Sequence, residues 1–157
     1  MVFKLSTIGK IGAAFCSIIA FILLLTTSCC HMDNFISISF SGTSVLFGEP
    51  DILEPIATAL TAWILLIAVI VALAIYLAAE FFEIDFITDL DLFVSTAISV
   101  LLISIGILIL CVPSGVSAYF SQPFILDSGW IVAVVLIFLS SIINIAPTIL
   151  DLLGIKF

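Results

Sequence analysis

The residues best suited to metal binding or covalent chemistry stand together in one short stretch, Cys29–Cys30–His31. A zinc site needs a second, spaced pair of ligands, and the sequence offers none in a zinc-site pattern. His31, the single histidine, has no obvious nucleophile as a partner. No long apolar stretch contains paired carboxylates or histidine clusters, and phosphate-binding glycine loops are missing from the sequence. We therefore predict no catalytic residues, no cofactor and no metal site.

The other cysteines suggest a structural role for the sulfur atoms. Cys111 lies at the end of an apolar stretch that should open on the same side of a membrane as Cys29 and Cys30. A disulfide from Cys111 to Cys29 or Cys30 is therefore possible, while free thiols and acylation are the alternatives. Cys16, inside another apolar stretch, fits a small packing residue.

The composition identifies the solvent of this chain as lipid. Of its 157 residues, 64% are hydrophobic and 9% are charged, against about 25% charged in a typical soluble domain. The chain has three lysines, no arginine and eleven acidic residues, which gives a net charge of −8. Such a chain lacks the basic surface that nucleic acids or anionic lipids require. We expect an integral membrane protein whose first partner is the lipid bilayer.

Four apolar stretches, at about 8–27, 56–79, 92–112 and 130–150, are each long enough to cross a bilayer as a helix. They predict a single four-span domain over residues 1–157. The outer loops are predicted at about 28–55 and 113–128, because "CVPSG" supplies Pro and Gly at the end of the third span. The inner loop is predicted at about 80–91, where acids, Asp91 among them, should stay in water.

The lysines predict the orientation. Lys4 and Lys10 are counted before the first span, and Lys156 follows the last. An even number of spans puts all three on one side, and the positive-inside rule makes that side cytoplasmic. We therefore expect a multi-pass protein of the plasma or cytoplasmic membrane with both termini in the cytoplasm.

The first span has an alternative interpretation as a cleaved lipoprotein signal. It has a basic start, an apolar run and small residues before Cys29. A lipobox, however, has an aliphatic residue three positions before its cysteine, where this chain has Thr26 or Thr27. We therefore predict that the segment is retained as a helix.

Small residues recur at spacings of four and seven in every span, which predicts a left-handed four-helix bundle packed along these positions. The packing positions are Gly9, Ala13, Ala20, Ala68, Ala72, Ser95, Ser99, Gly106, Ala133, Ser140 and Asn144. Asn144 is the most polar side chain deep in a span and should bond to a serine of the third span. A polar point on a permeation path is the alternative role for Asn144.

The first outer loop carries a strand pattern, because apolar residues alternate with serines from Asn34 to Ser41. "SGTS" reads as a turn and "SVLFG" as a return strand, which together predict a small extracellular β-hairpin. Its apolar residues, proposed as an assembly surface, are Phe35, Ile36, Ile38, Phe40, Val45 and Phe47. An unpaired edge of such a hairpin could pair with a neighbouring molecule.

This layout resembles that of the claudin and MARVEL groups of tetraspan proteins. The resemblance implies four helices, cytoplasmic termini, a short inner turn and, for claudins, β-structure in the first outer loop. The claudin signature, a Trp-rich motif with two cysteines inside that loop, is missing here, since Cys29 and Cys30 adjoin the helix. No functional residue can therefore be carried over.

Two functions are compatible with these features. The first is a non-enzymatic tetraspan protein that acts by self-assembly, as a scaffold or as a small subunit of a larger membrane complex. The alternative is a pore-forming or channel-accessory protein whose acidic outer face attracts cations. The acids of that face are Asp33, Glu49, Asp51, Glu54 and Asp127.

Overall fold

A computed structural model describes residues 5–32, 38–82 and 90–153 of the chain, without the side chains of residues 151 and 152. The long helices are α1 (Leu5–Thr26), α3 (Ala57–Phe81), α4 (Asp91–Leu110) and α6 (Ser128–Leu152), and the short ones are α2 (Gly42–Phe47) and α5 (Val112–Phe120). The strands are β1 (Ser28–His31), β2 (Ser39–Ser41) and β3 (Ile125–Leu126). We call the end of the bundle with the strands the sheet end, and the end where α1 begins and α6 ends the terminal end.

Four helical runs are long and apolar enough to cross a membrane: Leu5–Thr26, Ala57–Phe81, Asp91–Phe120 and Ser128–Leu150. Their outward faces are apolar as well as their buried ones, since Phe15, Ile75 and Phe93 are all more than half exposed. Helices that are apolar on every side are typical of hydrocarbon surroundings. The helices thus indicate a multi-pass membrane protein with a tetraspan layout.

The third helical run is longer than the sequence pattern predicts. Cys111 keeps a right-handed helical conformation, and the helix resumes at Val112 with Pro113 in the first turn of α5. Proline is tolerated there because the N–H it lacks would have no helical partner. The helix ends only at Ser121, which has a φ of 55°. Much of the predicted outer loop 113–128 is therefore helical.

Lys10 does not flank the first helix, as the orientation argument assumed. Since α1 begins at Leu5, Lys10 lies in its second turn, with 0% of the residue exposed. Asp91 is not in a wet loop either, because it is the first residue of α4. Lys10 and Asp91, whose positions were both predicted wrongly, form an ion pair with each other.

The predicted packing positions of α1, α4 and α6 are buried, and α6 lies against both α1 and α4. In α3, however, Ala68 is exposed and Ala72 is only half-buried. The buried face of α3 consists of larger residues, including Leu66, Val69, Leu73 and Tyr76. The small-residue pattern was therefore wrong for α3, because alanines also occur on its outward face.

Gly9 permits a close approach of α1 to α6. A Cβ atom at this position would lie 2.6 Å from Cγ of Pro147 and 2.7 Å from the carbonyl oxygen of Ile143. That carbonyl has no helical donor four residues later, because Pro147 lacks an N–H. The helices therefore touch where a proline leaves a carbonyl free and a glycine leaves room for it.

The three strands form an antiparallel sheet in the order β2–β1–β3. Phe40 lies opposite Cys30 in β1, so it does not pair with a return strand. Val45 and Phe47 lie in α2, and the predicted hairpin is wrong in this half. The reason is that Ser41 caps α2 by accepting a hydrogen bond from the Ser44 amide at 3.1 Å.

Two residues of the predicted assembly hairpin, Phe35 and Ile36, lie outside the described residues, and Ile38 directly precedes β2.

Candidate functional site

The most unusual group inside the bundle is the ammonium of Lys10. Its Nζ atom forms an ion pair with Oδ1 of Asp91 and lies 4.4 Å from the ring centroid of Tyr76. A buried ammonium without a partner would be strongly destabilising in an apolar interior. Asp91 and the Tyr76 ring supply the compensating carboxylate and cation–π contact.

Asp91 gathers groups from all four long helices. Besides Lys10 of α1, Oδ1 accepts hydrogen bonds from the Tyr76 hydroxyl of α3 at 2.6 Å and from Ser95 of α4 at 3.5 Å. Oδ2 accepts one from Thr148 of α6 at 3.3 Å. Its place at the N-terminus of α4 also favours a negative charge. We call these five residues the Asp91 cluster.

Next to the Asp91 cluster, Thr7 and Glu80 make a second polar link between α1 and α3. The Thr7 hydroxyl donates to Oε1 of Glu80, in the last full turn of α3. Oε2 of Glu80 is buried and has no partner among the described residues. The terminal end is therefore held by two polar links that both use α1.

A chain of hydrogen bonds between α4 and α6 continues from the Asp91 cluster towards the middle of the bundle. Thr148 donates to the Ser95 hydroxyl at 3.2 Å. The Asn144 amide donates to the Ser95 carbonyl at 2.8 Å and to the Ser99 hydroxyl at 2.9 Å, so Asn144 has the expected serine partner. The Ser99 hydroxyl then donates to the Ser141 carbonyl at 3.1 Å, and the Ser141 hydroxyl donates to the Ser99 carbonyl at 3.2 Å.

A second group of hydrogen bonds joins α1 to α6. The polar interior ends near the middle of the bundle. Ser140 donates to the Ala13 carbonyl at 2.8 Å and lies 2.9 Å from the Ser17 hydroxyl. Towards the sheet end, the interior is filled by large apolar side chains that are at most 2% exposed, namely Leu24, Leu102, Ile105 and Ile137. The polar interior therefore occupies one half of the bundle and does not run through it.

The cysteines of the sheet end are unbridged, and two of them are buried. A bulge between Ser28 and Cys30 leaves both Cys29 and Cys30 buried, whereas Cys111 is exposed at the α4–α5 junction. Their thiols are free in the structure, which does not contain the disulfide to Cys111 that the sequence left open. Burial raises the pKa of the Cys29 thiol, which disfavours the reactive thiolate.

His31 also has a structural contact at the sheet end. Its Nδ1 atom lies 2.7 Å from Oδ1 of Asp127, and the Asp127 amide donates to the Cys29 carbonyl at 2.8 Å. These bonds join the central strand to the start of α6. Within residues 5–32, 38–82 and 90–153, no three His, Cys, Asp or Glu side chains are grouped closely enough to hold a metal ion.

An open groove of about 490 Å³ lies at the sheet end, between the segment 47–55 and Tyr119 of α5. Three of its lining residues are the exposed acids Glu49, Asp51 and Glu54, which the sequence had placed on the acidic outer face.

Sequence reasoning missed the Asp91 cluster, although a signal for it was available. A lysine in the second turn of an apolar helix needs an acidic partner, and four antiparallel spans bring Lys10 to the same end as Asp91. The predicted packing residues Ser95, Ser99, Ser140 and Asn144 prove to be members of the hydrogen-bonded interior.

The comparisons with known proteins add no relative. No family model matches the chain, and neither does any curated protein or solved structure. The tetraspan layout therefore stands on the four apolar helices, and no match supports the claudin or MARVEL groups specifically.

Proposed function

We propose that this chain is a non-enzymatic membrane protein that acts by assembly, either with copies of itself or as a scaffold or small subunit of a larger membrane complex. The observation that carries the proposal is apolar surface outside the four candidate spans. At the sheet end, Ile38, Ile52 and Ile125 are 38%, 48% and 53% exposed. In this proposal lipid tails cover the helices, and the exposed apolar side chains of the sheet end contact protein.

The interior supports the same proposal. The polar side chains inside the bundle bond mainly to one another, and the sheet half is filled by apolar side chains. What remains for interaction is the outer surface. As further parts of this proposal, the bundle is left-handed, has a claudin- or MARVEL-like layout, and lies in the plasma or cytoplasmic membrane with cytoplasmic termini. Lys4 and Lys156 support this orientation, whereas the charge of Lys10 is neutralised inside the bundle.

Native mass measurement in mild detergent, together with crosslinking in the native membrane, tests the proposal. We expect particles that contain more than one chain. The double substitution Ile38→Lys/Ile125→Lys should shift them towards the single chain, because it adds a charge at each edge of the sheet. Thr43→Lys, at an exposed polar position of α2, is the control and should leave the mass unchanged. A single-chain particle with no crosslinked neighbour would overturn the proposal.

The groove acids favour a second candidate, a pore-forming or channel-accessory protein. Glu49, Asp51 and Glu54 surround one open groove and would raise the local concentration of cations. Because the bundle interior is apolar towards the sheet end, any conduction would run between copies or through a partner. Ion flux into reconstituted vesicles should then fall when the three acids are neutralised. Vesicles without any flux would exclude a pore formed by this chain alone.

A further inference from the structure

The groove at the sheet end combines apolar walls with carboxylates. Phe47, Ile52 and Tyr119 line it and are 56%, 48% and 49% exposed. Glu49, Asp51 and Glu54 are exposed around the same opening. The groove is open, with a volume of about 490 Å³. A complementary occupant would therefore be partly apolar and positively charged.

The groove is preformed. The Glu49 amide donates to the Leu53 carbonyl at 2.7 Å, and the Leu53 amide donates back to the Glu49 carbonyl at 3.0 Å. Leu53 anchors the segment with only 3% of the residue exposed. Gly48 has a φ of 80°, and a Cβ atom there would lie 2.9 Å from the Leu53 carbonyl oxygen. A partner would bind without first having to order this segment, which favours binding.

The sequence has few cations that could occupy the groove. It has three lysines and no arginine, and Lys10 is buried in the Asp91 cluster at the terminal end. In the sequence, Lys4 directly precedes α1 and Lys156 follows the end of α6 by four residues. Helix α1, with its 22 residues, separates the two ends by about 33 Å. Among the described residues, a second copy in the same orientation therefore presents no lysine at this level.

We propose that the groove binds a basic, partly apolar segment of a different protein, so that this chain joins a hetero-complex through its sheet end. The inference rests on the proposed function and specifies the partner. Three carboxylates within six residues match several lysine or arginine side chains of a peptide, whereas the ammonium headgroup of a lipid carries one positive charge. Phe47, Ile52 and Tyr119 receive the apolar side chains between the basic ones.

The test is a binding titration with the full chain in phosphatidylcholine nanodiscs. The probe is a short fluorescein-labelled peptide of alternating lysine and leucine, and the control peptide has glutamate in place of lysine. The lysine peptide should bind the chain and lose at least about tenfold in affinity to the triple variant Glu49→Gln/Asp51→Asn/Glu54→Gln. Ile52→Ser should weaken binding without changing the charge. Asp127→Asn, a neutralised acid of the same end that does not line the groove, should leave the affinity unchanged.

Two results would overturn the inference. The first is equal binding of the lysine peptide to the wild type, the triple variant and empty nanodiscs. The second is no peptide binding together with a phosphocholine adduct in the native mass spectrum that the triple variant loses, since a lipid headgroup would then be the occupant. A chain that is monomeric by mass but binds the peptide as predicted contradicts the self-assembly part of the proposed function and leaves the groove assignment in place. An assembled chain whose triple variant keeps full peptide affinity contradicts only the groove assignment.

Discussion

The two halves of the bundle are held together by different interactions. In the terminal half, side chains of α1, α3, α4 and α6 meet at one carboxylate, and hydrogen bonds continue from it along α4 and α6. In the sheet half, large apolar side chains fill the interior, and backbone pairing of β1 with β2 and β3 joins the connections above it. In lipid, apolar contacts alone distinguish poorly between alternative helix arrangements. The terminal half should therefore determine which helices are neighbours, and the sheet half should contribute packing.

The largest expected effect is at Asp91. In Asp91→Asn, Lys10 loses the one charged partner that it has among the described residues while remaining buried, and breaking one side of a buried ion pair costs about 3–5 kcal/mol. Unfolding by denaturant in mild detergent would measure this loss.

The reverse substitution, Lys10→Met, should be milder. The Asp91 side chain is 24% exposed and keeps Tyr76, Ser95 and Thr148 as donors. The double variant Lys10→Met/Asp91→Asn should be more stable than Asp91→Asn alone. If Asp91→Asn were as stable as the wild type, the Asp91 cluster would not hold the terminal half together.

The second effect is steric and belongs to the α1–α6 contact. Gly9→Ala places a methyl group against Pro147 and the Ile143 carbonyl, which should cost about 1–3 kcal/mol as an overpacked contact. Gly12→Ala is the matched control on the same helix, because its Cβ would meet only a methyl group of Ile143 at 3.1 Å. Thermal unfolding of both variants should show a clear loss for Gly9→Ala and little change for Gly12→Ala. Equal losses would mean that the close approach at Pro147 is not special.

The difference between the two halves also explains which features of the fold were predictable from the sequence. Helix length and apolarity are local properties, so the four helices and the buried faces of α1, α4 and α6 were predictable. The Asp91 cluster depends on which helix ends meet, and Lys10 and Asp91 are 81 residues apart.

Local competition accounts for the errors at the sheet end. Ser41 could begin a turn or cap a helix, and its bond to the Ser44 amide selects the helix α2 over the predicted return strand. In the same way, Pro113 could end a helix or begin one, and it begins α5.

A smaller effect is expected for hydrogen bonds between helices in the terminal half. Ser99→Ala removes a hydroxyl that bonds to the Ser141 carbonyl and accepts from Asn144, and should cost about 0.6–2 kcal/mol. Ser104→Ala is the control in the same helix, because Ser104 bonds only to the carbonyl of Val100 within α4. Denaturant unfolding should separate the two variants. Identical stabilities would show that the polar chain contributes nothing beyond packing.

The smallest effect is expected at the sheet end, where Nδ1 of His31 lies 2.7 Å from Oδ1 of Asp127. The His31 side chain is 39% exposed, so solvent screens the pair, and His31→Gln should cost at most about 1 kcal/mol. Added salt should reduce the difference between His31→Gln and the wild type, whereas it should leave the effect of the buried Asp91→Asn nearly unchanged. Unfolding curves at low and high ionic strength measure both. If salt weakened both variants' effects equally, the Asp91 cluster would be open to solvent, and the contrast between a polar buried half and an apolar half with a solvated rim would fail.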